Sequence, residues 1–416
     1  MHLSSDTRLA FLKRIELENI RAFRHLVLEL GEASVQPQMQ TVVIGRNGTC
    51  KTTLLRSIAL GLATEGDAAA LLSLPNGRWI TEGEKEGSIR LWIELADRSE
   101  VQERVVRLRS DGRKDTLDTR EPSPVSPWEV FLCAYGLGRG NLGGEPGRGY
   151  RVIDSVATLF RYEDRLVHSE LVLRRLKDFL GTETFKAVLA GMKRALGLSP
   201  EHDIELPSGG GIEVSGPGLG EHIPLEGWAD GYRMTLSWMI DFFGWAMRAE
   251  AIDTSGEVRG ILLIDEIEQH LHPAMQADLL GHLRQALPGV QTLVTTHSPL
   301  VALSTPSEQL VALHRDDTQI RRAEVPSLTG FSAEDVLVEE TLFGTDPYAP
   351  ATRLKIDRHQ ELKRIPPTTR SKKQEREIRE LADELRPDAL PALRDDPVVA
   401  KLDELTALLE AQGREK

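Results

Sequence analysis

The first strong pattern along the chain is an alternation of apolar and polar positions in "FLKRIELENIRAFRHLVLEL", with Ile15 and Leu17, then Leu26, Val27 and Leu28, in apolar places. That period of two predicts half-buried β-strands. A short β-branched run, "TVVI" at 41–44, leads straight into "GRNGTCKTT". From Thr52 to Leu62 the apolar residues Leu54, Leu55, Ile58, Ala59 and Leu62 then fall at helical spacing. The order is strand, glycine loop, helix. Residues 88–109 alternate again and end at "SDG" (110–112), which predicts an antiparallel β layer with a hairpin turn.

Further along, "VFLCAYGLGRGNLGGEPGRG" passes from a buried strand into a loop with seven glycines and almost no other predicted structure. Residues 155–200 and 231–250 carry apolar positions at helical spacing on more than one face, and "PSGGGIEVSGPGLGEHIPLEG" between them predicts a hairpin. "VRGILLIDE" (258–266) and "VQTLVTTHSP" (290–299) predict two more buried strands, separated by the helix "PAMQADLLGHLRQAL". Beyond about 332 the composition shifts. "RSKKQEREIRELADEL" and "KLDELTALLEAQG" predict charged amphipathic helices, punctuated by Pro366, Pro367, Pro387 and Pro391, and no internal repeat is visible.

A length of 416 residues suits one large domain with insertions, or two domains with proper cores. No apolar run reaches bilayer-crossing length, and "MHLSSDTRLAFLKR" lacks the apolar segment of a secretion signal, so a cytoplasmic chain without membrane contact is expected. Cys50 and Cys133, the only cysteines, exclude a disulfide framework and a four-cysteine zinc site. The formal charge of −13 argues against an overall basic face. Two local basic stretches, "RVVRLRSDGRK" and "RSKKQER", leave DNA open as a partner, although both have acidic neighbours and no interleaved aromatics.

The chemistry concentrates at the glycine loop. A phosphate cradle needs backbone N–H groups converging at a helix N-terminus and a lysine that reaches the terminal phosphates. Gly45 and Gly48 supply the turn and the close approach, Lys51 the charge and Thr52 a hydroxyl ligand for Mg²⁺. Cys50 stands where the phosphate-loop pattern has its second glycine. If the backbone there has negative φ the substitution strains little; a glycine-only conformation would cost on the order of 1–3 kcal/mol. Read alone, the loop favours a nucleotide site over the alternative, a glycine turn before a helix that happens to contain lysine. "ILLIDEIEQHLHP" then offers Asp265 to Mg²⁺ or its water shell and Glu266 to an attacking water, and the next strand ends in Thr296-His297-Ser298, with His297 aimed at a γ-phosphate. His270 and His272 beside Glu266 and Glu268 are a weaker metal-site reading, because alternate residues do not share one helical face. A thiol at a helix start can sense redox state, but bound phosphates would oppose the Cys50 thiolate.

The set GRNGTCKTT, ILLIDEIEQHLHP and TTHSP resembles the ABC-type ATPase heads of the SMC and RecF class and, within it, the stand-alone bacterial ATPases of OLD and PtuA type associated with phage defence. "IRAFRHLVLEL", "LCAYGLGR" and "TGFSAEDVLVEETLFG" are similar to that group too, so the resemblance covers roughly residues 10–345. It implies an α/β ABC-ATPase head: a mainly parallel core sheet carrying the phosphate loop, an antiparallel β layer and an inserted helical signature lobe (155–250). Residues 346–416 would be a helical, partner-binding appendage.

By the same resemblance, Gly45, Arg46, Asn47, Gly48, Thr49, Cys50, Lys51, Thr52 and Thr53 would hold ATP. Thr52 and Asp265 would hold Mg²⁺, and Glu266, His297 and Lys51 would act in hydrolysis. "WADGYR" (228–233) stands for the signature loop, so Asp230, Gly231 and Tyr232 would meet nucleotide held by a second copy. Ala229 replaces the usual serine there, although Asp before Gly is also an ordinary helix-capping pattern. The implied activity is slow ATP hydrolysis in a homodimer or higher oligomer that serves as sensor or scaffold for a nuclease-like effector encoded nearby. A DNA repair or maintenance ATPase and a hydrolysis-deficient scaffold are the alternatives. A built-in TOPRIM nuclease finds no Glu and Asp-x-Asp set in the last hundred residues, and a transporter motor lacks its LSGGQ loop.

Overall fold

The computed structural model describes residues 10–31, 38–95, 101–118, 130–140, 142–144, 149–218, 222–316, 319–346 and 348–385. The chain divides into two compact units, residues 1–345 and 346–416. In the first, a six-stranded sheet runs in the order Gln319–Ala323, Leu310–Asp316, Gln40–Ile44, Val290–Thr295, Gly260–Ile264, Leu132–Tyr135. All neighbours pair parallel except the first two, so only the edge strand Gln319–Ala323 runs against the others. The strands Gly260–Ile264 and Val290–Thr295 are buried at every position, as expected of parallel strands covered on both faces.

Alternate residues of this sheet feed two different cores. Val43, Leu132, Ala134, Ile261, Leu263 and Leu293 face one, with the helix Lys51–Leu62 and a second sheet. Val42, Ile44, Cys133, Tyr135, Leu262, Ile264 and Val294 face the other, with the helical lobe. The second sheet is the expected antiparallel layer: Phe23–Glu29, Ala10–Ile20, Glu86–Leu95, Val101–Ser110, Asp115–Asp118. It turns at 111–114, where Asp111 Oδ1 accepts from the Arg113 and Lys114 N–H groups.

Two long-range polar contacts pin these layers together. Gln291, fully buried in the parallel sheet, accepts from the Leu12 N–H (2.7 Å) and donates to the Leu12 carbonyl (2.9 Å), next to a bulge between Leu12 and Arg14. Arg104, the first residue of a stretch read as locally basic, points inward. It donates to the Gly61 and Ala63 carbonyls at the C-terminus of the helix Lys51–Leu62, where a cation complements the helix dipole. That stretch is therefore less of a surface patch than its composition suggests.

The lobe departs from the sequence reading in detail. Residues 155–200 are not continuously helical: short turns at Val152–Ser155 and Ala157–Phe160 and a two-residue strand, Leu166–Val167, precede the helices Ser169–Leu180 and Thr182–Ala195. The expected hairpin at 207–227 is part of a small three-stranded sheet, Asp203–Glu205, Glu213–Ser215, Ile223–Pro224. The helix Asp230–Arg248 is buried from Thr235 to Ala246 and closes the lobe core. "PAMQADLLGHLRQAL" forms two helices, Pro273–Gln276 and Leu279–Ala286.

In the second unit, Pro350–Arg364 and Lys372–Glu384 are helices. The latter begins with a capping box between Ser371 and Gln374. The two are joined by Arg358 with Glu377 and Lys355 with Glu384, both at 2.7 Å and exposed. The amphipathic segment "KLDELTALLEAQG", with Pro387 and Pro391, lies outside the described residues.

Candidate functional site

The strand Gln40–Ile44 ends against its neighbour Leu310–Asp316, and this closeness dictates Gly45. At φ 147°, a Cβ there would lie 2.4 Å from the Leu313 carbonyl oxygen. Arg315 of the same neighbour donates to the Gly48 carbonyl at 2.6 Å. Cys50 sits at φ 60°, ψ 28° and caps the helix without a side-chain bond. The alternative left open by the sequence thus resolves to the left-handed region, where a residue with a Cβ carries about 1–2 kcal/mol of strain. Lys51 begins the helix and folds back, its Nζ donating to the Gly45 (2.7 Å) and Arg46 (3.1 Å) carbonyls. Burial lowers the Lys51 amine to about 8 against the pull of Asp265, Glu266 and Glu268, which keeps it protonated at neutral pH. Arg46 points away from Lys51, its Nε donating to the Phe343 carbonyl (2.8 Å) and its guanidinium lying over Gly344. "TGFSAEDVLVEETLFG" is thereby folded onto the loop.

The acidic strand delivers Asp265 to the same place. Asp265 Oδ2 accepts from Thr52 Oγ1 and Oδ1 from Thr295 Oγ1, both at 2.6 Å, while its N–H donates to the Tyr135 carbonyl. Thr295 Oγ1 also accepts from the Glu266 N–H at 2.8 Å, so one hydroxyl orients both acids. Glu266 stands at φ 47°. Its carboxyl is raised above the usual range by burial and by Asp265 and Glu268, against Lys51 and Arg139. His297 Nε2 lies 3.8 Å from Glu266 Oε1, and the His297 N–H donates to Glu268 Oε1. Burial and Lys51 lower the His297 pKa, which favours the neutral ring.

The cradle and these donors fit ATP and Mg²⁺. A hydroxyl and a carboxylate converge as hard oxygen ligands, a protonated amine stands at a helix start, and Glu268 Oε2 is buried with no hydrogen-bond partner among the described residues. The structure thus gathers the loop residues 45–53 with Asp265, Glu266 and His297.

It places Asp230, Gly231 and Tyr232 elsewhere, against the turn at 266–271. A Cβ on Gly231 would lie 2.4 Å from the His270 carbonyl oxygen of the same chain. Tyr232 stacks on Trp228 at 4.9 Å, and Asp230 pairs with Arg233 at 2.7 Å. The helix cap is Ala229, not Asp230, and it makes no side-chain bond, so the ordinary capping pattern does not apply. His270 (φ 68°) belongs to a turn, not a helix, and His272 caps Pro273–Gln276 by accepting from the Ala274 N–H.

Two residues of the site lie inside recognisable segments without a role being legible there. Thr295 opens TTHSP but looks like any β-branched strand residue. Arg139 lies in the stretch read as a loop almost without structure, yet Leu137–Gly140 form a 3-10 turn there. Arg139 is 3% exposed and donates to the Asp265 carbonyl (2.6 Å) and the Glu266 carbonyl.

Sequence comparisons point the same way. A family model described as "AAA domain, putative AbiEii toxin, Type IV TA system" matches residues 245–304, which hold the acidic strand and the strand before His297. The Septu protein PtuA of Bacillus mycoides (strain KBAB4) is 25% identical over 381 residues, covering 90% of this chain and 50% of that protein. The chain thus spans about half the length of that relative. The "Retron Vc95 probable ATPase" of Vibrio cholerae serotype O1 biovar El Tor is 40% identical over 62 residues, 15% of this chain and 12% of that protein. Among solved structures, the SMC head domain from Thermotoga maritima gives a TM-score of 0.46 at 13% identity, covering 76% of this chain and 99% of that one. A phosphate-loop pattern and an acidic strand joined by a mainly parallel sheet thus stand in a chain whose sequence is similar to the Septu protein PtuA and to a probable retron ATPase.

Proposed function

We propose that the chain binds ATP with Mg²⁺, hydrolyses it slowly, and pairs with a second copy around nucleotide as the sensor or scaffold of an anti-phage defence system. Its output would pass to a nuclease-like effector encoded nearby, through residues 346–416. The observation that carries this reading is the convergence of Thr52, Asp265 and Glu266 through the Thr295 hydroxyl beside the phosphate loop. In it, Gly45 to Thr53 hold the phosphates, Lys51 Nζ sets their charge, and Thr52 and Asp265 hold Mg²⁺, which neutralises phosphate charge. Glu266, with its raised pKa, takes the proton of the attacking water at a carboxylate oxygen, and neutral His297 orients the group beside it.

Slow turnover is the expected consequence of two departures, Cys50 held at φ 60° and Ala229 without a hydroxyl at its helix start. The same departures favour the second reading, a nucleotide-dependent scaffold without hydrolysis. The deciding experiment measures ATP binding and turnover for the parent, Lys51→Ala and Glu266→Gln. Lys51→Ala should lose binding by about 100-fold or more, while Glu266→Gln should bind normally and lose turnover by a similar factor. Equal binding by the parent and Lys51→Ala would refute the nucleotide site, and a parent no faster than Glu266→Gln would select the scaffold. Copurification with the product of the neighbouring gene tests the partner.

A further inference from the structure

Arg139 is a buried cation that pairs with no carboxylate among the described residues. Its donors go to main-chain oxygens, with Nη1 to Gly136 (3.2 Å) and Asp265 (2.6 Å) and Nη2 to Glu266. Burial lowers its pKa to about 10, still charged, with Asp265, Glu268 and Glu266 supplying the compensating field. The turn that carries it is forced close to its neighbours. A Cβ on Gly136 would lie 2.3 Å from the Thr158 carbonyl oxygen, one on Gly138 2.4 Å from that of Tyr162, and one on Gly140 3.0 Å from the Met234 methyl of the lobe helix. "GLGRG" is thus a packed wedge between the lobe and the acidic turn, and its glycines let the arginine reach inward.

One of its targets is a peptide that needs holding. Glu266 sits at φ 47°, where a residue with a Cβ returns to the right-handed side unless its neighbours fix it. Its N–H is fixed by Thr295 and its carbonyl receives Arg139 and the Gln269 N–H (2.9 Å). We infer that Arg139 is a positioning residue for hydrolysis: its two-pronged hold on consecutive carbonyls keeps Glu266 in the conformation that presents its carboxylate to the nucleotide site. A planar guanidinium offers a separate nitrogen to each carbonyl at a fixed spacing, whereas a lysine at 139 would have to draw both carbonyls to one nitrogen on a shorter head. Because Met234 lies on the same wedge, the lobe that carries the signature residues reaches the catalytic acid through Arg139.

This inference rests on the proposed ATPase reading, and the test separates the two. Arg139→Lys keeps the charge and removes the fork. It should lower kcat about tenfold or more and leave KM for ATP within about twofold, with an unchanged melting curve. A parental kcat, or a loss of kcat and nucleotide affinity in parallel, would overturn the assignment. A second arm needs no turnover: amide hydrogen exchange of the nucleotide-free chain should speed up about tenfold at Ile267–Gln269 in Arg139→Lys and stay unchanged across Lys51–Leu62. Unchanged exchange at Ile267–Gln269 overturns the hold itself. A parent that hydrolyses no faster than Glu266→Gln would fail the ATPase reading alone, leaving the exchange result to decide whether Arg139 holds this turn.

Discussion

Two of the turns that hold a non-glycine residue at positive φ, those of Cys50 and Glu266, are built in opposite ways. In the phosphate loop, Cys50 at φ 60° is flanked by short-range bonds, Thr49 donating to the Arg46 carbonyl and Lys51 folding back on Gly45 and Arg46, with Arg315 adding a long-range hold on the Gly48 carbonyl. In the acidic turn, Glu266 at φ 47° is fixed mainly by groups far along the chain, Thr295 and Arg139. The first turn is a local device, legible as a motif and tolerant of a wrong residue at one place. The second is an assembled device, whose geometry depends on strands brought together by the fold. Strain is cheap to keep where the chain holds itself, and it needs long-range partners where the chain does not.

That contrast can be broken at the assembled turn with the largest effect. Thr295→Val keeps shape and strand preference but leaves the Glu266 N–H and one Asp265 oxygen without their partner. It should cost about 3–4 kcal/mol in denaturant unfolding. A loss below about 1 kcal/mol would mean that the turn is not organised by this hydroxyl.

A smaller effect is expected one shell further out. Asp241 of the lobe helix is fully buried, accepts from the Tyr135 hydroxyl (2.8 Å) and from the Val167 N–H (2.7 Å), and has its pKa raised by burial to about 6. Tyr135 in turn offers its carbonyl to the Asp265 N–H. An acid whose folded pKa exceeds its unfolded value, near 4, favours the fold most at low pH and loses that contribution as pH rises through the folded value. The parent should therefore lose roughly 2 kcal/mol relative to Asp241→Asn between about pH 4 and 7. Parallel pH profiles of stability for the two proteins would contradict a buried, titrating carboxylate.

The smallest effect belongs to the local turn. Cys50→Gly relieves the positive φ but adds chain entropy, so stability should change by about 1 kcal/mol or less and ATP turnover should rise only modestly. A large gain in turnover, of about 100-fold, would show that Cys50 is a brake and not a tolerated strain.

Much of the head was visible in the amino-acid order because its signals are short-range. Period-two alternation marked the antiparallel layer, continuous apolar runs marked the strands buried on both faces, and GRNGTCKTT marked the phosphate loop. Arg139 and Thr295 stayed hidden for a common reason. Both lie inside recognisable segments, LCAYGLGR and TTHSP, but nothing local names their partners, which lie 126 and 30 residues away. The single helix read across 273–287 split for a similar reason. Helical spacing of its apolar residues does not report where tertiary contacts interrupt a helix.

By itself the sequence determined where a glycine loop would join a strand to a helix, which strands would be buried, and that an acid pair would follow one of them, because propensity, periodicity and loop chemistry act between neighbours in the chain. Only the tertiary structure decided that Gly231 packs against His270 of its own chain, that Arg46 turns to Phe343, and that Glu266 is held by a threonine and an arginine from other segments. Such hydrogen bonds form only after the sheet has closed, and nothing in the spacing of residues along the chain encodes which buried donor will meet which carbonyl.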